Sequence, residues 1–365
     1  MEMEHGGDIL GASHLSGIAP DMLLDFSVNV TPLGIPEKIK TAMYESLGQA
    51  GLYPDLSKRR LNQAIGRKHH IPESWVCCGN GASDLIFRLV FALKPKKALI
   101  LAPTFVEYAS ALCCVTGDIE RYRVDHKDFM VREDILDRIT ERTDLVILCN
   151  PNNPTGQLIP RDLMIKIAGK CALTHTLLLI DECFLEFAEN GKDYSMERFL
   201  PAYPGMVILK SFTKMFGIAG LRLGYMLCSD SDLCRMADRF GCDWNVNCVA
   251  EAAGLAALEC DDYVEKVVEC VSKERAFLIT SLESLGISVV HGKANYLLFR
   301  VPGEERLYEK LLAKGIMIRT CSNYDNLGRD YYRIGIRTPE DDRYLVRSLD
   351  EILRPEEADR KEIDA

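Results

Sequence analysis

Short apolar runs alternate with stretches of helical spacing through the first two thirds of the chain. The runs "KALILA" (97–102), "DLVILCN" (144–150), "TLLLIDE" (176–182), "MVILKS" (206–211) and "LRLGYMLC" (221–228) are nearly continuous in hydrophobicity. That is the pattern of buried parallel strands, covered on both faces. Between them, "ASDLIFRLVFAL" (82–93) puts Leu85, Ile86, Leu89 and Val90 on one helical face, and "RDLMIKIAGKCA" (161–172) has similar spacing. Strand and helix in alternation predict an α/β domain with a mostly parallel sheet. After about residue 235 the texture changes. "VNCVAEAAGLAALEC" and "DDYVEKVVECVSKERAFLITSLESLG" predict long helices. The strand-like pieces "ISVVHG", "NYLLFRV", "IMIRT" and "YYRIGIRT" follow, with helical "EERLYEKLLAKG" among them. The expected division is an N-terminal arm over 1–30, a large domain over 31–235 and a small α+β domain over 236–365. The charged tail from Pro355 is expected to fray.

Composition narrows the classes. The 365 residues are 47% hydrophobic and 27% charged, enough for a sizeable core. A net charge of -10 and a pI of about 5.3 disfavour a nucleic-acid binder. An anionic substrate would then need a local site of a few arginines and backbone amides. The 14 cysteines include two adjacent pairs but no C-x-x-C spacing, a poor framework for zinc or disulfides, and no metal site is expected. With neither a secretory leader in "MEMEHGGDIL" nor a run long enough to span a membrane, a reducing cytoplasm is the expected location.

The residues that carry chemistry fall where the apolar runs end, the edge at which open α/β sheets bind ligands. "CGNGASD" opens a helix, so Gly81 and Ala82 offer backbone N–H groups to an anion. "PTFVEY" places Phe105 at a strand end, and "NPNNPTG" offers the amide of Asn153. Asp181 ends a buried run, where a carboxylate needs a cationic partner. "SFTK" supplies Ser211, Thr213 and Lys214, with Arg222 eight positions on. A lysine with poor solvation is a good amine nucleophile toward a carbonyl compound; alone, such a lysine equally suits a turn with its head in water. Together these are the parts needed to hold pyridoxal 5'-phosphate. Lys214 would condense with its aldehyde, Asp181 would keep its pyridine nitrogen protonated, and Phe105 would stack on the ring. Asn153 would bond the ring oxygen. Gly81, Ala82, Ser211, Thr213 and Arg222 would hold the phosphate.

"NPNNPTG", "DE", "SFTK" and "GLRLGY", in this order, resemble the fold-type I pyridoxal-phosphate enzymes, in the aminotransferase branch that contains histidinol-phosphate aminotransferase. Within it, "HGGDI", "LLDFSVNVTPLG", "GLYPD", "GKANYLLFR", "IMIRTCSNYDNLG" and "YYRIGIRT" look most like the threonine-phosphate decarboxylases of cobalamin biosynthesis. That resemblance implies decarboxylation of L-threonine O-3-phosphate to (R)-1-amino-2-propanol O-2-phosphate. Arg333 would clamp the carboxylate and Arg319 the substrate phosphate, both by the planar fork of arginine. His5, Gly6 and Asn29 match substrate-contacting positions, so the N-terminal arm would close over the site. Tyr53 resembles the residue that reaches the cofactor phosphate of a neighbouring subunit, which implies a homodimer with shared active sites. Phe184 stands where many histidinol-phosphate aminotransferases carry tyrosine, and the decarboxylases resemble this chain in having phenylalanine there.

Three readings follow: the phosphothreonine decarboxylase, a histidinol-phosphate aminotransferase that needs 2-oxoglutarate, and a non-catalytic pyridoxal-phosphate sensor. The last commonly carries a DNA-binding module, for which this acidic chain has no spare residues. L-Serine O-phosphate remains open as a substrate, since one methyl group gives little discrimination.

Overall fold

The computed structural model describes residues 5–354; the tail expected to fray lies outside them. The chain enters through a helix, Ile9–Ser16, and a short strand β1 (Leu24–Asp25). Seven strands then form the main sheet: β2 (Val76–Gly79), β3 (Lys97–Ala102), β4 (Asp118–Arg123), β5 (Leu145–Cys149), β6 (Leu177–Asp181), β7 (Met206–Ser211) and β8 (Gly224–Leu227). Their order is β2-β8-β7-β6-β5-β3-β4. β3 through β7 pair in parallel, and the central residues of β3, β5, β6 and β7 are buried, as their continuous apolar runs require. The helix Ala82–Leu93 buries Leu85, Ile86, Leu89 and Val90, and Arg161–Leu173 matches the second periodic stretch.

The structure differs from the sequence pattern, or adds to it, in three places. First, "LRLGYMLC" is not a parallel strand. It begins only at Gly224 and runs antiparallel to both β7 and β2. The connection from Ser211 makes one helical turn, Phe212–Met215, and comes back without the long crossover that a parallel pairing needs. Second, the edge strand β4, "DIERYR", escapes an apolar criterion because its exposed face is polar. Third, the helix Ser231–Arg239 runs through residue 235, and its Leu233, Cys234 and Ala237 share a core with Leu85 and Leu89 of the main sheet's helical cover.

The second sheet has the order β12-β13-β10-β9, formed by β9 (Ser288–Val290), β10 (Tyr296–Arg300), β12 (Arg319–Thr320) and β13 (Tyr331–Gly335). The run "IMIRT" is split. Its first half, β11 (Ile316–Met317), pairs in parallel with β1, and only the second half joins the small sheet. The N-terminal segment is therefore built into the small domain. The Phe26 carbonyl accepts from Gly335 N–H at 2.7 Å, and the Phe26 N–H donates to Met317 at 2.8 Å. Among the described residues no helix is long and apolar enough to cross a membrane, and no cluster of ligands suits a metal.

Candidate active site

Register brings the anion cradle together. Gly79 pairs with Gly224, and Gly224 pairs with Ser211, so three adjacent strands end at one level. A Cβ on Gly224 would lie 2.7 Å from the backbone nitrogen of Ala82, so glycine alone lets the helix N-terminus settle on β8. Gly81 has φ +89°, and the Arg222 guanidinium comes within 2.9 Å of where its Cβ would be. The Ser211 and Thr213 hydroxyls lie 2.7 Å apart, and Ser211 caps the turn that carries Lys214 by accepting from Thr213 N–H. Backbone N–H groups, two hydroxyls and a guanidinium thus meet beside one helix terminus, a donor set suited to a phosphate.

Lys214 lies next to this cradle, half-buried. Its ammonium makes no hydrogen bond or ion pair among the described residues. Burial pushes its pKa below the usual lysine value; Cys183 and Asp181 pull it up, whereas the Arg222 and Arg333 cations push it down. The neutral amine, the nucleophilic and proton-accepting form, is favoured accordingly. One strand over, Asp181 is buried at the end of β6. No cationic side chain forms an ion pair with it among the described residues, although Lys214 lies close enough to feel its charge. Instead the Tyr108 hydroxyl donates to its Oδ2 at 2.6 Å and the Cys183 N–H to its Oδ1 at 2.9 Å. An acceptor-only carboxylate with two neutral donors has room for a cationic ring nitrogen as the missing partner.

Tyr108 was not evident from sequence. Its one signal is position: it follows Phe105 by three residues, one turn along the helix Val106–Cys113, and packs edge-on against it with centroids 5.5 Å apart. Next to Asp181 along the chain, Glu182 points to the opposite side of the sheet. There it receives Lys210 at 3.1 Å, and Lys210 also reaches Glu197 at 2.6 Å. Glu197 in turn bonds His69 at 2.7 Å. This buried network locks the far side of β6 and β7 behind the site.

Arg319 and Arg333 are direct partners across β12 and β13, so both side chains project from one face of the small sheet. Both are buried. Burial lowers the Arg319 pKa, and Arg319 donates to the Thr320 carbonyl and to Asn323 Oδ1, each at 2.8 Å. Arg333 donates to Asn153 Oδ1 at 2.5 Å and to the Ser27 carbonyl at 2.9 Å, both neutral. Its Nε is buried without a partner. Arg333 thereby joins the small domain to the "NPNNPTG" loop, and the bond leaves Asn153 its Nδ2 as a donor. Phe184 is buried and meets Tyr296 edge-on at 5.0 Å, and Tyr296 lies under Arg333.

The N-terminal candidates also collect here. Gly6 packs so closely on Ser27 that a Cβ would lie 2.3 Å from its carbonyl oxygen, and Gly7 N–H donates to Ser27 Oγ at 2.8 Å. His5 Nε2 lies 2.9 Å from Glu107, at the start of the helix that carries Tyr108. Asn29 is buried with an unpaired Oδ1. Ser27 and Glu107 had no sequence signal. Tyr53 is the outlier: it is 79% exposed, packs at a tilt against Trp244 with ring centroids 4.6 Å apart, and bonds none of these residues within the chain.

The family model for class I and II aminotransferases matches residues 21–349. The threonine-phosphate decarboxylase of Salmonella typhimurium is 37% identical, with 96% of each chain covered. The histidinol-phosphate aminotransferase structure from Clostridium acetobutylicum superposes with a TM-score of 0.86 at 29% identity, covering 91% of this chain and 100% of that one. The histidinol-phosphate aminotransferase of Sinorhizobium meliloti, solved in complex with pyridoxal-5'-phosphate, gives a TM-score of 0.84 at 19% identity, with 96% of each chain covered.

Proposed function

The chain belongs to the family of class I and II aminotransferases, and from that premise we propose that it decarboxylates L-threonine O-3-phosphate with pyridoxal phosphate as cofactor. The products are CO2 and (R)-1-amino-2-propanol O-2-phosphate, the aminopropanol linker of cobalamin. The observation that carries this reading is the pair of buried arginines on one face of the small sheet, beside a lysine and a carboxylate at the edge of the large one. A substrate with an anion at each end of a short amino-acid skeleton suits such a pair of cations. The identity to the Salmonella typhimurium decarboxylase supports it.

When bound, the cofactor supplies an electron sink for the pair left as a bond at the substrate's Cα breaks. The chain's part is placement and proton handling. Arg333, steadied by Asn153 and Ser27, holds the α-carboxylate. Arg319 holds the phosphate, and His5, Gly6 and Asn29 close the N-terminal side. With both ends fixed, the bond from Cα to the carboxylate is the one presented for cleavage. The Lys214 amine, after taking up a proton, is placed to deliver it to Cα. Asp181, steadied by Tyr108, would pair with the cofactor's ring nitrogen. Gly81, Ala82, Ser211, Thr213 and Arg222 take the cofactor phosphate, and Phe105 covers the ring.

The active form is a homodimer in this reading. Tyr44, Leu47, Leu52, Tyr53, Leu56 and Trp244 are exposed apolar side chains, more than an isolated surface segment usually shows. Tyr53 among them would complete the site of the other copy, and sedimentation of the holoenzyme checks the mass.

The test is product analysis with L-threonine O-phosphate, L-serine O-phosphate and histidinol phosphate, with and without 2-oxoglutarate. CO2 release from phosphothreonine without an oxo acid is expected. Turnover only with 2-oxoglutarate would replace the decarboxylase by an aminotransferase. The two arginines should fail differently. Arg333→Ala weakens every amino-acid ligand, whereas Arg319→Ala weakens phosphorylated ligands and spares threonine. Each loss is on the order of 2–4 kcal/mol, roughly 30- to 1,000-fold in kcat/KM.

A further inference from the structure

Between Arg319 and Arg333 lies a third polar group. Tyr324 is 4% exposed, its ring faces the Arg319 guanidinium at 5.4 Å, and its hydroxyl oxygen accepts from Arg333 Nη1 at 3.4 Å. A phenol has one proton to give as well as lone pairs to receive. Both guanidiniums are donors only, and no described group accepts the Tyr324 proton. A buried donor without an acceptor is costly, so its natural acceptor is an anion that enters between the two cations.

The loop that carries Tyr324 is held in place from the other domain. Asn326, at φ +69°, donates from Nδ2 to the carbonyls of Ala102 and Val124 at 3.2 and 3.0 Å. Asp325 pairs with Arg121 at 2.7 Å on β4. Within the loop, Tyr324 N–H donates to the Cys321 carbonyl at 3.1 Å. The hydroxyl is therefore set relative to the ends of β3 and β4, the same sheet edge that leads to Phe105 and Tyr108.

We propose that the Tyr324 hydroxyl is a further substrate ligand, donating its proton to an oxygen of the phosphate held by Arg319. The proposal rests on the reading that Arg319 binds that phosphate. It makes Tyr324 a specificity residue: a phosphorylated substrate gains a neutral donor that an unphosphorylated one does not use.

The experiment compares Tyr324→Phe with the wild-type holoenzyme. The variant keeps the ring over Arg319 and removes only the hydroxyl. KM for L-threonine O-phosphate should rise about 10- to 100-fold, with kcat within about threefold, as for loss of one hydrogen bond to a charged acceptor. The kcat/KM for L-threonine and the Tm should stay at wild-type values. Tyr324→Leu, which also removes the ring, should show the same selective loss or a larger one. An unchanged KM in Tyr324→Phe overturns the proposal, because the ring alone would then account for the residue. So does an equal loss for threonine. Calorimetric Kd values for L-threonine O-phosphate separate this test from that of the reaction. A wild type that binds the phosphorylated ligand without releasing CO2 refutes the decarboxylase, while an unaltered Kd in Tyr324→Phe refutes the role of Tyr324.

Discussion

Asp181 and Tyr108 show how a buried carboxylate is given hydrogen-bond partners. A carboxylate at the end of an apolar strand would ordinarily take up a proton or a counterion. Here the Tyr108 hydroxyl and one N–H group donate to it, and burial together with the Asp181 charge drives the phenol's own pKa well above its usual value, so the tyrosine remains a donor. Two substitutions should rank accordingly. Asp181→Asn should retain bound cofactor yet lose more than about 100-fold in kcat, because an amide cannot pair with a protonated ring nitrogen. Tyr108→Phe should lose about 10-fold, one hydrogen bond to a charged group. Steady-state kcat with cofactor content measured by absorbance checks both, and equal effects would make Tyr108 more than a support for Asp181.

At the scale of elements, the cradle depends on how closely a helix can approach a strand. β8 carries Gly224 where the N-terminus of Ala82–Leu93 touches the sheet, and a methyl group there would meet the nitrogen of Ala82 at 2.7 Å and the carbonyl of Lys210 at 3.0 Å. Both are backbone atoms and cannot swing aside. Gly224→Ala should therefore push the helix terminus off the strand, at a cost of about 1–3 kcal/mol as for other overpacked sites. Because the displaced N–H groups belong to the anion cradle, cofactor affinity should fall by more than the stability alone explains. Equilibrium titration of the apoprotein with pyridoxal phosphate, alongside urea unfolding, separates the two. A variant with wild-type affinity would show that the cradle tolerates the shift.

Across the whole molecule, stability carries a pH dependence set far from the chemistry. In the small domain Asp342 is fully buried, with one oxygen accepting from the Arg337 N–H and the other unpaired, and buried Glu274 has an unpaired oxygen too. Burial, reinforced by the Glu274 and Asp341 charges, pushes the Asp342 pKa up to about 7. An unfolded aspartate titrates near 3.9, so between about pH 4 and pH 7 the folded chain holds a proton that the unfolded chain has lost. Stability from this group is complete below about pH 4, falls as pH rises to about 7, and is level above that. Asp342→Asn mimics the protonated acid at every pH. The stability of the variant relative to wild type should thus rise by about 2–3 kcal/mol between pH 5 and pH 8. Urea unfolding at the two pH values measures it, and parallel profiles would show that Asp342 is ionised in the folded protein throughout.

The local pattern of the chain determined the parallel strands β3, β5, β6 and β7, the helices Ala82–Leu93 and Arg161–Leu173, and the change of texture toward the small domain. Each follows from burial periodicity, which neighbours along the chain already encode. It also pointed to the cofactor and put Lys214, Asp181 and Asn153 at or just past strand ends, because those ends are legible from the runs that precede them. Tertiary structure alone decided the antiparallel turn of β8, the splitting of "IMIRT" between two sheets, and the capture of residues 24–26 by the small domain. Strand direction and partner depend on where the chain returns in space, which hydrophobicity does not encode. The same holds for Tyr108, Ser27 and Tyr324. A tyrosine or serine looks alike on a surface and in a site until folding brings a buried carboxylate or a buried arginine within hydrogen-bond reach.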